Sequence, residues 1–162
     1  MLAMHKDSKQ LKIVSFNMHG FNQGCAAINE MIENMNPDVI LCQEHWLTPS
    51  NLDKFDKSFT DYFSFGCSAM SKSVEYGIVR GRPFGGIMTL VNNDLRNITE
   101  TVYCAERCAI VRITNCIIVN IYLPCVGTVD RQLICQDLLS EIGAWVNKFP
   151  SCNCVVAGDF NV

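Results

Sequence analysis

Apolar residues recur along this chain with two spacings, and the two spacings predict an alternation of strands and helices. Short apolar runs at 11–16, 38–43 and 153–157 predict strands. The run at 38–43 is apolar throughout, as in a strand that is buried on both faces of a sheet. Apolar residues at helical spacing predict helices over 25–35 and 129–149.

The middle of the chain predicts strands in close succession. Residues 59–65 alternate aromatic with smaller side chains, and four further strands are predicted at 86–91, 98–103, 108–113 and 116–122. Thr114 and Asn115 would form a two-residue hairpin turn between the last two strands. The polar segment 71–83 predicts a loop. This order predicts a layered α/β protein with mixed sheets and a crossover at each end.

Composition narrows the class of protein further. The 162 residues suit one domain, and 49% hydrophobic with 18% charged residues excludes a disordered chain. No apolar run reaches the roughly 18 residues of a membrane span, so we expect no membrane partner. The net charge of −3 gives no overall attraction to nucleic acid, although a local basic patch stays open. Ten cysteines without a C-x-x-C pair indicate free thiols in a reducing, intracellular compartment.

Four of the predicted strands end in polar groups that an apolar core does not need. These groups belong to Asn17, Glu44, Tyr122, and Asp159 with Asn161. If the strand ends meet, then two carboxylates, two amides and a phenol converge. Such oxygen ligands suit Mg²⁺, which polarises a phosphoryl oxygen, while a second carboxylate can accept a proton from an attacking water. The reaction class that follows is hydrolysis of a phosphodiester or a phosphomonoester.

Each of these residues also has a purely structural interpretation. Asn17 alone is better read as a cap for the turn before Gly20, and Asp159 with Asn161 could form an ordinary turn. Glu44 could be a solvated residue, and Tyr122 a core residue with a satisfied hydroxyl. Their joint occurrence at strand ends, in this order, favours a functional site.

Four segments resemble the successive motifs of the endonuclease/exonuclease/phosphatase superfamily. They are S-F-N-M-H-G, P-D-V-I-L-C-Q-E, V-N-I-Y-L-P and V-A-G-D-F-N. The resemblance implies a four-layered α/β/β/α sandwich of two mixed sheets, with the second sheet incomplete in this chain. It also implies a flexible segment at 1–10, followed at 11–162 by the N-terminal part of one such domain. C-Q-E-H-W-L and G-R-P-F-G-G-I-M-T-L further resemble the apurinic-like endonuclease domain of non-LTR retrotransposons.

The resemblance assigns a role to each residue of the predicted site. Glu44 would bind Mg²⁺, or Mn²⁺ in its place, and Asn17 would help to position phosphate or metal. Tyr122 would lie against the scissile phosphate. Asp159 would orient and activate the nucleophilic water, with Asn161 in support.

Partners follow from the same resemblance. The substrate would be DNA, a reverse transcriptase domain would lie in the same polypeptide, and no small-molecule cofactor is expected. A functional retroelement protein would act in the nucleus. Three basic residues, Lys72, Arg80 and Arg82, could contact DNA phosphates, or could simply belong to a solvated loop.

The motif set of the superfamily extends beyond G-D-F-N to a further acidic residue and an Asp-His pair, usually in S-D-H. None of His5, His19 and His45 stands in that context. We therefore expect impaired hydrolysis from this chain by itself. Two alternatives stay open. One is a phosphatase of inositol phosphates or related phosphoesters, and the other is a non-catalytic remnant that binds metal or nucleic acid weakly.

Overall fold

Two four-stranded mixed sheets face each other in the computed structural model, which describes residues 10–77 and 81–161. The strand order is β1-β2-β4-β3 in the first sheet and β5-β6-β7-β8 in the second. The strands are Ile13–Asn17 (β1), Val39–Gln43 (β2), Tyr62–Cys67 (β3), Ile87–Asn92 (β4), Thr99–Ala105 (β5), Cys108–Ile113 (β6), Cys116–Tyr122 (β7) and Asn153–Asp159 (β8). The helices are Phe21–Met35 (α1), Lys54–Ser58 (α2), Ser71–Glu75 (α3) and Arg131–Val146 (α4), with 3₁₀ turns at Pro49–Asn51 and Asn93–Ile98.

Alternation along β2 shows how the layers form. Val39 and Leu41 point into the apolar layer between the two sheets, where Ile118 of β7 meets them. Ile40 and Cys42 point the other way, into a core that α1 and α2 cover. A third core lies under α4 on the outer face of the second sheet. The predicted four-layered α/β/β/α fold is therefore confirmed, as is the burial of β2 on both faces.

Each sheet contains one parallel pair whose strands are joined by a crossover helix. The first crossover is β1-α1-β2, and the second is β7-α4-β8. Asn17 at the end of β1 aligns with Gln43, and Tyr122 at the end of β7 aligns with Asp159. Because parallel strands end at the same edge of a sheet, each crossover delivers two polar strand ends together.

Three local predictions need correction. The segment 71–83 is not loop throughout, because it contains α3, and α2 was not predicted at all. Both helices have five residues, which is too short to show a helical repeat of apolar positions. The last strand extends beyond residue 157 to Asp159, since parallel pairing with β7 holds two more residues. The predicted Thr114-Asn115 hairpin turn is confirmed, with Ile113 opposite Cys116.

Two predictions about the fold, the flexible segment at 1–10 and the incomplete second sheet, are not tested by the described residues. Residues 1–9, 78–80 and Val162 lie outside the described residues, so the flexible segment at 1–10 stays a prediction. Both sheets have four strands over the described ranges, and the incompleteness of the second sheet also stays a prediction. Within 10–77 and 81–161, no helix is long and apolar enough to cross a membrane. All ten cysteines are described, and all are free thiols.

Candidate active site between the two sheets

Four half-buried side chains meet where the two sheets come together at their strand ends. The Asn17 Nδ2 donates hydrogen bonds to Glu44 Oε1 at 3.0 Å and to Asp159 Oδ2 at 2.7 Å. The Tyr122 hydroxyl donates to the same Glu44 Oε1 at 2.9 Å. Two members come from the first sheet and two from the second. We call Asn17, Glu44, Tyr122 and Asp159 the seam cluster.

The charges of the seam cluster favour a cation. Two carboxylates share one amide nitrogen, and this places two negative charges close together in a half-buried setting. Burial, followed by the hydrogen bond to Glu44, raises the pKa of Tyr122, so its phenol keeps the proton that it donates. His19 lies at the rim, with Nδ1 at 3.8 Å from Glu44 Oε2 and a side chain that is 75% exposed.

The backbone around Glu44 is held in an uncommon conformation. Glu44 and Trp46 have φ angles of 56° and 55°, in the left-handed region that residues other than glycine seldom adopt. Two hydrogen bonds hold this conformation, from Glu44 N to Gly86 O and from Trp46 N to Gly85 O, each of 2.9 Å. A Cβ at Gly86 would lie 2.4 Å from the His45 ring, so this position of G-R-P-F-G-G requires glycine. Strained backbone of this kind is common at functional sites.

His45 is buried between these segments and serves the structure. Its Nδ1 accepts a hydrogen bond from Leu47 N at 3.0 Å, and its Nε2 lies 3.1 Å from the Cys67 carbonyl oxygen. Because a carbonyl can only accept, Nε2 carries the proton of a neutral ring. Burial lowers the pKa of His45 to about 4, so the ring is neutral near pH 7 and both nitrogens are occupied.

Asn161 contacts the seam cluster through its backbone. Its N–H donates to Asp159 Oδ1 at 3.1 Å, while its side-chain Nδ2 donates to the Leu123 carbonyl at 2.7 Å. Arg131 then fixes this turn, because its guanidinium donates to the Asn161 and Pro124 carbonyls at 2.9 and 3.0 Å. The sequence offers no signal for Arg131, since its partners are backbone carbonyls, one of them 30 residues away.

Arg107 is a second residue that the sequence pattern did not single out. Its guanidinium carbon lies 5.2 Å from the centre of the Tyr122 ring, and its carbonyl accepts from Tyr122 N at 2.9 Å. Its Nη1 is buried and has no hydrogen-bond partner. A cation with a spare donor therefore packs against a member of the seam cluster. The only sequence signal is an arginine directly before β6.

Two of the three basic residues that could contact DNA belong to the described part of the chain. Lys72 on α3 lines a cavity of about 960 Å³ that Arg107 also lines. Arg82 is exposed and precedes Gly85, which binds the backbone of Trp46 beside Glu44. Arg80 lies outside the described residues. Contact of these residues with DNA stays a prediction.

The donor set suits a metal ion that keeps most of its water. Across 10–77 and 81–161, no group of three or more His, Cys, Asp and Glu side chains is arranged to hold a metal ion. Zinc in proteins typically requires such a set, whereas Mg²⁺ is commonly held by one or two carboxylates and several waters. Glu44 and Asp159, with the Asn17 amide between them, fit the second description.

Comparison with known proteins identifies the family. The model of the Endonuclease/Exonuclease/phosphatase family matches residues 14–162, and the chain belongs to this family. A DNA-(apurinic or apyrimidinic site) endonuclease of Dictyostelium discoideum is 26% identical over 168 residues, which cover 96% of this chain and 43% of the relative.

Solved structures agree on the fold. An AP endonuclease from Leishmania major has a TM-score of 0.67 at 15% identity. The alignment covers 94% of this chain and 55% of the Leishmania chain. A 3′ phosphatase from Neisseria, bound to a product DNA hairpin, has a TM-score of 0.65 at 12% identity, with coverage of 94% and 58%. The chain therefore spans less than two thirds of the length of these relatives.

Proposed function

We propose that this chain is part of a divalent-cation-dependent endonuclease that hydrolyses phosphodiesters of DNA. The observation that carries the proposal is the bridge from one amide nitrogen, Asn17 Nδ2, to carboxylates of two different sheets. A fold has no need to bring two carboxylates together at the end of its core, because their mutual repulsion costs free energy. Metal-assisted hydrolysis of a phosphoester can use both, one to hold the cation and one to accept a proton from water.

Each residue of the site then has a task. Glu44 would hold Mg²⁺ or Mn²⁺, and Asp159 would orient a water and accept its proton. A divalent cation bound there would polarise a phosphoryl oxygen and stabilise the leaving oxygen. Asn17 keeps the two carboxylates at a fixed separation, and Asn161 restrains Asp159 through its backbone N–H.

Two side chains at this site, Tyr122 and Arg107, could bind the phosphate of the substrate. Tyr122 keeps its proton, and with a cation on Glu44 its hydroxyl could turn from that carboxylate to a phosphate oxygen. Arg107 places a positive charge against the Tyr122 ring, and a small movement of its side chain would expose the spare Nη1 to a phosphate. Lys72 and Arg82 would extend the contact along the DNA backbone. Relatives that are DNA-processing enzymes by name support DNA as the substrate.

The retroelement type is the finer part of the proposal. It rests on two segments, C-Q-E-H-W-L and G-R-P-F-G-G-I-M-T-L, that resemble endonuclease domains of non-LTR retrotransposons. In the structure, these segments contact each other, because Glu44 and Trp46 bind the backbone of Gly86 and Gly85. A reverse transcriptase domain in the same polypeptide and action in the nucleus belong to this proposal.

We propose further that residues 1–162 alone hydrolyse DNA weakly. The imidazole that the family places against the phosphate has no substitute among the described residues, since His45 is buried and neutral and His19 lies exposed at the rim. Loss of one electrostatic stabiliser costs about 10²–10³-fold in rate. Residues 1–162 contain no S-D-H motif, and hydrolysis without an Asp-His pair should be slower still.

Nicking of supercoiled plasmid in Mg²⁺ tests both statements. The chain alone should nick little, while a polypeptide extended downstream of Val162 by its own gene, and carrying an S-D-H-like motif, should nick readily. Glu44→Gln and Asp159→Asn should abolish nicking by the extended polypeptide. Asp94→Asn is the matched control, because Asp94 lies in the 3₁₀ turn after β4, at the other end of the sheet.

The possible results separate the proposals. Robust nicking by the short chain that Asp159→Asn abolishes would show that another group replaces the missing imidazole. Nicking that Glu44→Gln leaves intact would refute the site. Release of inorganic phosphate from inositol phosphates, without nicking, would favour the phosphatase alternative. No reaction from either polypeptide would favour a non-catalytic remnant.

A further inference from the structure

Directly beneath the seam cluster, a buried pair of amide side chains joins the two sheets. Gln43 Nε2 of β2 donates to Asn120 Oδ1 of β7 at 2.7 Å. Gln43 is 1% exposed and Asn120 is 0% exposed. Gln43 immediately precedes Glu44, and Asn120 lies two residues before Tyr122. We call Gln43 and Asn120 the amide bridge.

The amide bridge is tied to the backbone of the first sheet as well. Asn120 Nδ2 donates to the Met88 carbonyl at 3.0 Å and to the Cys42 carbonyl at 3.3 Å. Gln43 Nε2 also donates to the Leu41 carbonyl at 3.0 Å. The NH₂ groups of both amides are therefore fully paired, while Gln43 Oε1 is approached by Ser15 Oγ at 3.5 Å. A buried amide that lost its partner would be strongly unfavourable, so this arrangement resists displacement of one sheet against the other.

The surroundings of the bridge indicate why it is polar. Most of the layer between the sheets is apolar, with Val39, Val91, Val111 and Ile118 among its members. Apolar contacts are non-directional and tolerate small displacements, whereas hydrogen bonds fix a distance and an angle. An apolar pair of similar size could fill the same space with little loss of stability. The polar pair stands instead at the end of the layer from which Glu44 and Tyr122 emerge.

We propose that the amide bridge is a positioning device that sets the separation of Glu44 from Asp159, and with it the affinity of the seam cluster for a hard cation. Gln43 fixes the strand end that carries Glu44. Asn120 pairs with Ala157 of β8, two residues before Asp159, and so fixes the strand that carries the second carboxylate. The inference rests on the proposed function only in that Glu44 and Asp159 hold a cation.

Tb³⁺ binding to the chain tests the proposal without any assay of activity. Tb³⁺ is a hard cation that prefers oxygen ligands, and its emission is sensitised by a nearby tryptophan. The Trp46 ring lies 4.8 Å from the His19 ring, whose Nδ1 is 3.8 Å from Glu44 Oε2. With excitation at a wavelength that tryptophan absorbs and tyrosine does not, Tyr122 beside Glu44 contributes nothing. Emission should then saturate with Tb³⁺, disappear in Trp46→Phe, and disappear in Glu44→Gln.

The decisive variants remove the bridge one side at a time and then both together. Gln43→Leu and Asn120→Leu should each lower the Tm and weaken Tb³⁺ binding by roughly tenfold or more, as loss of a group that orients a metal ligand does. The double variant should regain much of the Tm, because no lone amide remains buried. It should not regain Tb³⁺ affinity. A purely structural pair would recover both together.

Two further variants keep the test informative if the single variants do not fold. The exchange of the two residues, Gln43→Asn with Asn120→Gln, retains both amides and should bind Tb³⁺ more tightly than the double leucine variant. Thr89→Val is the control, because Thr89 Oγ1 lies in the same layer and makes only a 3.4 Å contact with Asn120. It should bind Tb³⁺ like the wild type.

The results distinguish failure of this inference from failure of the proposed function. Wild-type affinity in the double leucine variant, with Glu44→Gln still abolishing binding, would overturn the positioning role alone. Absence of Tb³⁺ emission from the wild-type chain, or emission indifferent to Glu44→Gln, would overturn the cation site together with the inference.

Discussion

The two crossovers each supply half of the seam cluster, but they hold their halves in different ways. Every residue of β2 is buried, whereas no residue of β8 is buried. In the second crossover, Leu133 and Leu139 of α4 and Val156 of β8 remain 57%, 51% and 42% exposed. Packing on both faces thus fixes Glu44, while hydrogen bonds at strand ends fix Asp159. In this fold, one carboxylate of a pair can be held by a fully packed strand and the other by hydrogen bonds at the end of an exposed strand.

The tether of the second half is specific. Asp159 receives the Asn17 amide from the first sheet and the Asn161 N–H from its own turn. Since β8 also packs against β1 and β2, the position of Asp159 depends on the first half being folded. We therefore expect the first crossover to dominate stability and the second to dominate local motion.

The largest expected effect tests the packing difference between the crossovers. Ile28 of α1 is fully buried, and Ile142 of α4 is 5% exposed next to an apolar surface that is partly solvated. Ile28→Ala should lower the free energy of unfolding by about 4 kcal/mol, and Ile142→Ala by about 2 kcal/mol, because the cavity can collapse more easily in the second site. Urea unfolding measures both. Equal losses would remove the difference between the two halves.

The next effect concerns pH and belongs to the first half. The pKa of His45 falls from 6.5 to about 4 on burial, so unfolding takes up a proton between these values. The stability that depends on a neutral His45 is fully present above pH 6.5 and is lost as the pH falls towards 4. Over this range the free energy of unfolding should fall by roughly 3 kcal/mol. Unfolding free energies measured from pH 7 to pH 4 should show this decline.

His45→Gln is the matched variant for that experiment. It should be less stable than the wild type at pH 7, because Gly86 and the Leu47 N–H are fitted to an imidazole. Its stability should then change much less between pH 6.5 and 4.5. A decline as steep as that of the wild type would assign the pH dependence to other groups.

Sequence alone predicts the parts of this molecule that repeat along the chain. Strand alternation and polar strand ends are enough to bring Glu44, Tyr122 and Asp159 into one hypothesis. The structure joins Glu44 to Asp159 through Asn17 and to Tyr122 by a direct hydrogen bond. These features are local, since each depends on the residues of one strand and on where that strand ends.

Features that arise only from tertiary proximity could not be predicted. Gln43 stands in an apolar run and reads as the end of a strand, and its partner Asn120 is 77 residues away. The packing of Arg107 on the Tyr122 ring and the bond from Arg131 to the Asn161 carbonyl likewise join separate segments. Nothing in the pattern of hydrophobic and polar residues encodes such a contact.

A smaller effect tests the tether of the second half. Arg131→Met removes two charged hydrogen bonds to the Asn161 and Pro124 carbonyls, and should cost about 1–2 kcal/mol. Amide hydrogen exchange should accelerate in the turn after β8 and leave β2 unchanged. Arg112→Met is the control, since Arg112 pairs with Glu100 at an exposed position and such pairs contribute little. Similar acceleration in both variants would refute the clamp.

The smallest expected effect tests whether DNA contacts the segment before β4, next to Glu44. Arg82 is exposed in a segment whose glycines bind the backbone beside Glu44, so a phosphate there would lie near the seam cluster. Arg82→Ala should weaken binding to short duplex DNA and reduce the slope of log affinity against log salt by about one. Lys72→Ala should act in the same direction.

Arg96→Ala is the matched control for Arg82→Ala, because it removes the same charge at the opposite end of the sheet. Arg96 stacks on Phe63 in the 3₁₀ turn after β4, away from the pairing of Ile87 with Gln43. Its removal should leave the salt slope unchanged, since only arginines that contact phosphates release counterions. Equal slopes for Arg82→Ala, Arg96→Ala and the wild type would mean that Arg82 belongs to a solvated loop. DNA would then have to meet the second half of the site first, through Arg107.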